Sequence, residues 1–182
     1  GEWGQTLRAV FGEFRAPTGV SLAAHDAVHS SHEALRARVA RLADVLGTQP
    51  KFLMGKPGLD GHSNGAEQIA TRASEIGLAV IYDGIRMTPD ELVERAAADK
   101  VHLLGLSILS GSHVPLVRDV MQKLRARNIS IPVVVGGIIP EEDGHVLKQL
   151  GVAAVYTPKD YDLNRIMDGL VGLVENAVTA SG

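Results

Sequence analysis

The sequence predicts an α/β fold: a doubly wound, five-stranded parallel sheet in the order 2-1-3-4-5, preceded by an N-terminal helical linker. Three observations lead there. From Lys51 onward, short apolar runs alternate regularly with segments of 3.6-residue apolar period. The short runs, such as Ile131-Pro132-Val133-Val134-Val135, are continuous rather than alternating, as strands covered by helices on both faces are. The chain is 182 residues long with 45% apolar and 21% charged residues, enough for one sizeable core and an appendage. Five strand–helix units of this kind make a sheet of flavodoxin type.

Residues 1–50 form the linker and residues 51–182 the domain. In the linker, Leu7, Val10, Phe11 and Phe14 fall at helical spacing, and Pro17 to Gly19 is expected to end that helix. Trp3, Phe11 and Phe14 point to a neighbouring domain as the surface it rests on. Ser30 is expected to open a second helix, with Glu33 completing a capping box and Gly47 as its stop. There Leu35, Val39, Leu42 and Leu46 make the apolar stripe, and Arg36, Arg38 and Arg41 the solvated face. His25, His29 and His32 lack a further ligand type nearby and read as exposed linker histidines.

In the domain, strands are predicted at 51–55, 78–82, 101–107, 131–136 and 152–156. Helices are predicted at 65–76, 89–99, 113–127, 141–150 and 162–177. Thr88-Pro89-Asp90-Glu91 supplies an N-cap, a proline at the first helical position and a capping-box Glu. Gly77 and Gly151 are helix stops. Ser110 or Ser112 is the expected cap of the helix after the third strand.

Composition excludes several function classes. A formal charge of −3 leaves no basic footprint for nucleic acid. The absence of cysteine removes disulfides, thiolate metal sites and cysteine nucleophiles. No apolar run approaches the roughly 18 residues a membrane span needs. Gly1-Glu2-Trp3-Gly4 has no leader character and no initiator Met, so a cytoplasmic location and an internal or processed chain are expected.

In a parallel sheet of this type, ligands bind beyond the carboxyl ends of the strands. Three of those loops stand out. Gly55 to Gly65 holds four glycines among eleven residues, together with Asp60 and His62. Ser107 to Ser112 is small and hydroxyl-rich, and Gly136-Gly137 is a glycine pair. The pair is open to two readings, a tight turn or close approach of a ligand to the backbone. Neither a phosphate-binding P-loop, nor a dinucleotide fingerprint, nor a hydrolase nucleophile elbow is present. Asp60 can fix the tautomer of His62 and make it a better metal donor. Lys56 can hold that carboxylate ionised. One imidazole cannot retain a bare ion. A metal already ligated by a macrocycle needs only one protein ligand, so a macrocyclic cofactor bound end-on by His62 is the physical reading.

Together, Asp60-x-His62-x-x-Gly65, Ser107-x-Leu109 and Gly136-Gly137 resemble the three-part signature of cobalamin-binding domains. The resemblance implies that the cofactor's dimethylbenzimidazole leaves cobalt and lies in a slot, with His62 as lower axial ligand. It implies that Asp60 is the hydrogen-bond partner of His62 and that Lys56 extends the relay. Ser107 and Leu109 would line the slot, and Gly136 and Gly137 would make room for the nucleotide tail. Gly61, Ser63, Asn64, Gly65, Tyr156 and Thr157 complete the implied binding set.

The segment Gly1-Glu2-Trp3-Gly4-Gln5-Thr6-Leu7-Arg8-Ala9-Val10-Phe11-Gly12-Glu13 is similar to the stretch leaving the substrate barrel in methylmalonyl-CoA-type mutases. Gly137-Ile138-Ile139-Pro140 is similar to their Gly-x-Ile-Pro stretch. Gly55 to Gly65 and Tyr156-Thr157-Pro158-Lys159-Asp160 look closest to the ethylmalonyl-CoA branch. This implies the C-terminal adenosylcobalamin domain of a radical mutase, an isomerase giving methylsuccinyl-CoA from ethylmalonyl-CoA. Such a domain would hold cofactor without turning over substrate. Its implied partners are the substrate barrel, a second subunit of the full-length protein and a GTPase chaperone. The alternative is a cobalamin carrier or sensor, either a corrinoid methyl-transfer module or a regulator. Those place a four-helix bundle before the fold, and residues 1–50 offer about two helices. A phosphorelay receiver shares the fold class but lacks support here, because Asp60 lies beyond the strand end in a glycine-rich loop.

Overall fold

The structure is a computed structural model and describes residues 18–57, 64–82, 87–108, 111–160 and 162–181. Five parallel strands form the sheet: β1 (Lys51–Gly55), β2 (Ala79–Ile81), β3 (Leu103–Ser107), β4 (Val133–Gly136) and β5 (Ala154–Tyr156). Their order is β2-β1-β3-β4-β5, as expected. Six helices are present among the described residues: α1 (Thr18–Leu46), α2 (Asn64–Glu75), α3 (Pro89–Ala98), α4 (His113–Ala126), α5 (Glu141–Gln149) and α6 (Leu163–Ser181). Most ends differ from the predicted ones by only a residue or two, where strand pairing stops before the apolar run does.

Alternation along each strand divides the core into two layers. Leu53, Leu104, Leu106, Val133 and Val135 face α3, α4 and α5, which contribute Val93, Val117, Val120 and Leu147. Phe52, Met54, Leu103 and Val134 belong to the other layer, with Leu35, Val39 and Leu42 of α1, Ala73 of α2, and Met167 and Leu170 of α6. Both strand faces are therefore covered, which accounts for the continuous apolar runs. Local chemistry agrees at α3. Glu91 N–H donates to the Thr88 hydroxyl at 3.2 Å, and Thr88 N–H donates to the Glu91 carboxylate at 2.7 Å, with Pro89 in the first turn.

Two expectations about the N-terminal segment are corrected. Ser30 does not open a helix. It lies inside α1, which starts at Thr18, where the sequence reading placed a stop. The Ser30 hydroxyl donates to the Ala27 carbonyl at 3.0 Å, bonding back onto the preceding turn instead of capping a new one. Three alanines, Ala23, Ala24 and Ala27, lie between Gly19 and Ser30 with no breaker, so nothing interrupts the helix there. Nor is Arg38 on the solvated face. It donates to both carboxylate oxygens of Glu175, at 3.0 and 2.6 Å, and also to Asp168, so it clamps α1 onto α6. Ser112 occupies the cap position of α4 but makes no side-chain capping bond. The short helix expected over residues 7–14 lies outside the described residues. His29 is exposed and stands 3.6 Å from Glu33, and the described residues hold no group of three metal-ligating side chains.

Candidate functional site: a slot between the sheet and two helices

The order of the strands brings β1, β3 and β4 side by side, so their following loops share one edge. Register makes the arrangement tighter. Ser107 of β3 pairs with Gly136 of β4, and Gly136 pairs with Tyr156 of β5. Residues from three separate sequence features thus lie in one row across the end of the sheet. Beyond that row, Ile108 N–H donates to the Gly136 carbonyl at 2.9 Å and Gly137 N–H donates to the Tyr156 carbonyl at 3.1 Å. These bonds carry the ladder one residue further and fix the backbone at the site.

The row borders a cavity of about 480 Å³ between the sheet, α2 and α6. Six of the predicted residues line it: Gly65, Ser107, Gly136, Gly137, Tyr156 and Thr157. Its floor is apolar, made by Phe52, Met54, Gly105, Val134, Ile166 and Leu170. Gln68, Ser107, Thr157 and Asp160 supply its polar groups. Small residues create the depth. A Cβ at Gly65 would meet nothing within 4 Å, and one at Gly136 would meet only the Tyr156 carbonyl oxygen, at 3.9 Å. A wider groove of about 670 Å³ adjoins it, sharing Gln68 and Leu163. That groove is open and carries Glu67, Glu75 and Asp162, with Arg72 already bonded to Glu75 and Asn164. The smaller slot is the one that can enclose a flat apolar group.

The glycine pair divides between the two readings left open by sequence. Gly137 has φ +155, and a Cβ there would overlap the carbonyl oxygen of Ile108, so its role is steric. Gly136 has room beside it and serves the slot. The Thr157 hydroxyl is already engaged: it donates to Asp160 at 3.2 Å and accepts from Lys159 N–H at 3.3 Å, closing a turn over Thr157 to Asp160. The Ser107 hydroxyl has no such partner among the described residues. Burial raises the pKa of the Tyr156 phenol, and the nearby carboxylates of Asp160 and Asp168 add to it.

Lys56 stands immediately after β1 and is 1% exposed, outside the slot lining. The other buried polar side chain among the described residues is His113, at the start of α4, 3.5 Å from Asp143. Asn64 is the first residue of α2. Asp60, Gly61, His62, Ser63 and Leu109 lie outside the described residues. Sequence reasoning missed the floor. Phe52/Met54, Gly105/Ser107 and Val134/Gly136 are i, i+2 pairs on one sheet face, so a period-2 reading of the strands would have found them.

Comparison with known proteins places these loops in a family. Over 179 residues the chain is 58% identical to ethylmalonyl-CoA mutase of Methylorubrum extorquens, covering 98% of this chain and 26% of that protein. It is 54% identical over 181 residues to ethylmalonyl-CoA mutase of Cereibacter sphaeroides, covering 100% of this chain and 28% of that protein. The chain therefore spans about a quarter of the length of these curated relatives. Among solved structures, a cobalamin-binding protein from Desulfitobacterium hafniense aligns with a TM-score of 0.58 at 17% identity, covering 78% of this chain and 68% of that one, a likeness of fold alone. The B12 binding domain family matches residues 50–165, a span that begins one residue before β1 and closes in the first turn of α6, enclosing the sheet and every residue that lines the slot except Ile166 and Leu170; the chain belongs to that family.

Proposed function

We propose that the slot receives the nucleotide tail of cobalamin and that the chain is the cofactor domain of an adenosylcobalamin-dependent acyl-CoA carbon-skeleton mutase, acting on ethylmalonyl-CoA to give methylsuccinyl-CoA. One observation carries the reading. Ser107, Gly136 and Tyr156 share a row of the sheet and open onto one slot. The cavity suits the group in its chemistry. Apolar walls favour a flat benzimidazole, and hydroxyl and carboxylate groups near Ser107, Thr157 and Asp160 favour a ribose and its linkage.

In this reading the slot would hold the base away from cobalt, and His62 would ligate the metal. Asp60 orients the imidazole, and buried Lys56 holds the carboxylate ionised from the end of β1. Leu109 would line the slot with Ser107, and the loop residues Gly61, Ser63, Asn64 and Gly65 would complete the binding set. When bound, adenosylcobalamin supplies a cobalt–carbon bond that breaks homolytically to start the radical rearrangement. The chain's own part is to bind, orient and shield that cofactor. Residues 51–182 perform it, and residues 1–50 lead in from a substrate barrel. A dimeric full-length protein, a GTPase chaperone and a cytoplasmic location belong to the same proposal. Among the described residues no helix is long and apolar enough to cross a membrane.

The test is spectroscopic. Hydroxocobalamin added to the chain is expected to give a base-off, histidine-ligated spectrum that His62→Ala loses. No binding by the unsubstituted chain, or an unchanged spectrum in the variant, would refute the assignment. The mutase reading is separated from a carrier or sensor by the full-length gene product. Acyl-CoA-dependent radical formation supports the mutase, and a helical bundle ahead of the domain refutes it. Identities of 58% and 54% along nearly the whole chain favour the mutase.

A further inference from the structure

Gly169 sits in the interior of α6, where glycine weakens a helix relative to alanine. Its neighbourhood explains its presence. A Cβ at this position would stand 2.6 Å from the Tyr156 hydroxyl oxygen and 3.8 Å from the ring carbon that bears it. Tyr156 lines the slot and Gly169 does not. The ring therefore stands between the helix and the cavity, its hydroxyl seated against the bare Cα. Among the described residues no hydrogen bond holds that hydroxyl, so the seat against α6 is steric. The backbone at Tyr156 is held by its pairing with Gly136 and by the bond from Gly137 N–H, 3.1 Å long. A methyl group added at 169 would thus displace the ring rather than the strand, away from α6 and into the cavity that the ring borders.

We propose that Gly169 is a positioning residue: the missing side chain lets Tyr156 draw back against α6 and sets the width of the nucleotide slot. The inference rests on the slot reading above and goes beyond it, because Gly169 touches no part of the ligand. The consequence is selective. A corrinoid with its nucleotide tail must enter the slot, whereas cobinamide, which lacks the tail, does not.

The experiment titrates the chain and Gly169→Ala with hydroxocobalamin and with cobinamide, and repeats the pair in a Tyr156→Phe background. Alanine is the better helix former, so melting of Gly169→Ala is expected at or above the parent temperature. Overpacking by one methyl group is expected to weaken hydroxocobalamin binding by about tenfold while leaving cobinamide binding unchanged. In the Tyr156→Phe background, where the hydroxyl that meets the methyl is gone, the same substitution should cost clearly less. Unaltered hydroxocobalamin affinity in Gly169→Ala, an equal loss for both corrinoids, or an undiminished loss without the tyrosine hydroxyl would each overturn the proposal. Failure of the unsubstituted chain to bind hydroxocobalamin would instead strike the slot reading on which it stands.

Discussion

At the scale of single residues, the molecule separates groups that look alike in sequence. Gly136 and Gly137 are adjacent and chemically identical, yet one faces open space and the other is pressed against the Ile108 carbonyl. Two histidines divide the same way. His29 is solvated, while His102 is partly buried and joins two strands. Its Nδ1 accepts the Lys51 backbone N–H at 3.0 Å, tying the start of β3 to the start of β1. Only an unprotonated Nδ1 can accept. Burial lowers the pKa of His102 from the ordinary 6.5, and the charge of Lys51 lowers it further. The sign follows from linkage. The unfolded chain binds the proton more readily, so the His102 contribution is intact above about pH 6.5 and fades as pH falls through the folded-state value. Melting temperatures measured from pH 8 to pH 5.5 should therefore fall more steeply for the parent than for His102→Asn, whose carboxamide oxygen can accept the same bond without titrating. Parallel pH profiles would show that the bond does not couple to protonation.

At the scale of elements, strands and domain helices were legible because they obey local rules. A capping box opens α3, and continuous apolar runs mark strands buried on both faces. The helix α1 was not legible in the same way. Its start depends on what happens upstream of Ser30, where serine can cap or can bond backwards, and the sequence offers both. Its docking depends on residues more than a hundred positions away. Leu35, Val39 and Leu42 are buried against α6, and Arg38 reaches Glu175 and Asp168. The hydrogen bonds that Arg38 donates to Glu175 raise the arginine's pKa well above its ordinary value, and they in turn lower that of Glu175. Since the pair is partly solvated, its worth is modest. Arg38→Met, which removes the guanidinium and keeps an unbranched apolar side chain, is expected to cost about 1 kcal/mol of unfolding free energy at low salt and less in 1 M salt. Denaturant midpoints at the two salt concentrations measure this. A loss of equal size at both would assign the effect to packing rather than charge. Val39→Ala, at a site 2% exposed, should cost about 2 kcal/mol with no salt dependence.

At the scale of the whole molecule, the two faces of the sheet are unequal. The layer with α3, α4 and α5 is closed by a continuous set of buried aliphatic side chains. The layer with α1, α2 and α6 is filled only toward the amino ends of the strands. At the other end the slot takes the place of core: Gly136 leaves space open beside it, and Gly105 makes room for the Phe52 ring and the Met54 sulfur that floor the slot. This asymmetry is what sequence could not display. It depends on which members of each strand share a face and on a register that sets Ser107, Gly136 and Tyr156 in line. A protein built this way forgoes buried apolar contacts in one layer and leaves the first turns of α2 and the start of α6 least supported. A ligand that fills the slot restores those contacts, and only in that layer. Saturating hydroxocobalamin at roughly 100 times its dissociation constant should stabilise the fold by about 2.7 kcal/mol, a rise of roughly 5–10 °C in melting temperature for a chain of this size. Hydrogen exchange read by mass spectrometry should locate the gain. Below the global unfolding limit, peptides from α2, the end of β4 and the first half of α6 should gain protection, while those from α3, α4 and α5 should change little. The two layers share one sheet, so a gain spread evenly over both would mean that the ligand rigidifies the fold from elsewhere and that the slot is not its seat.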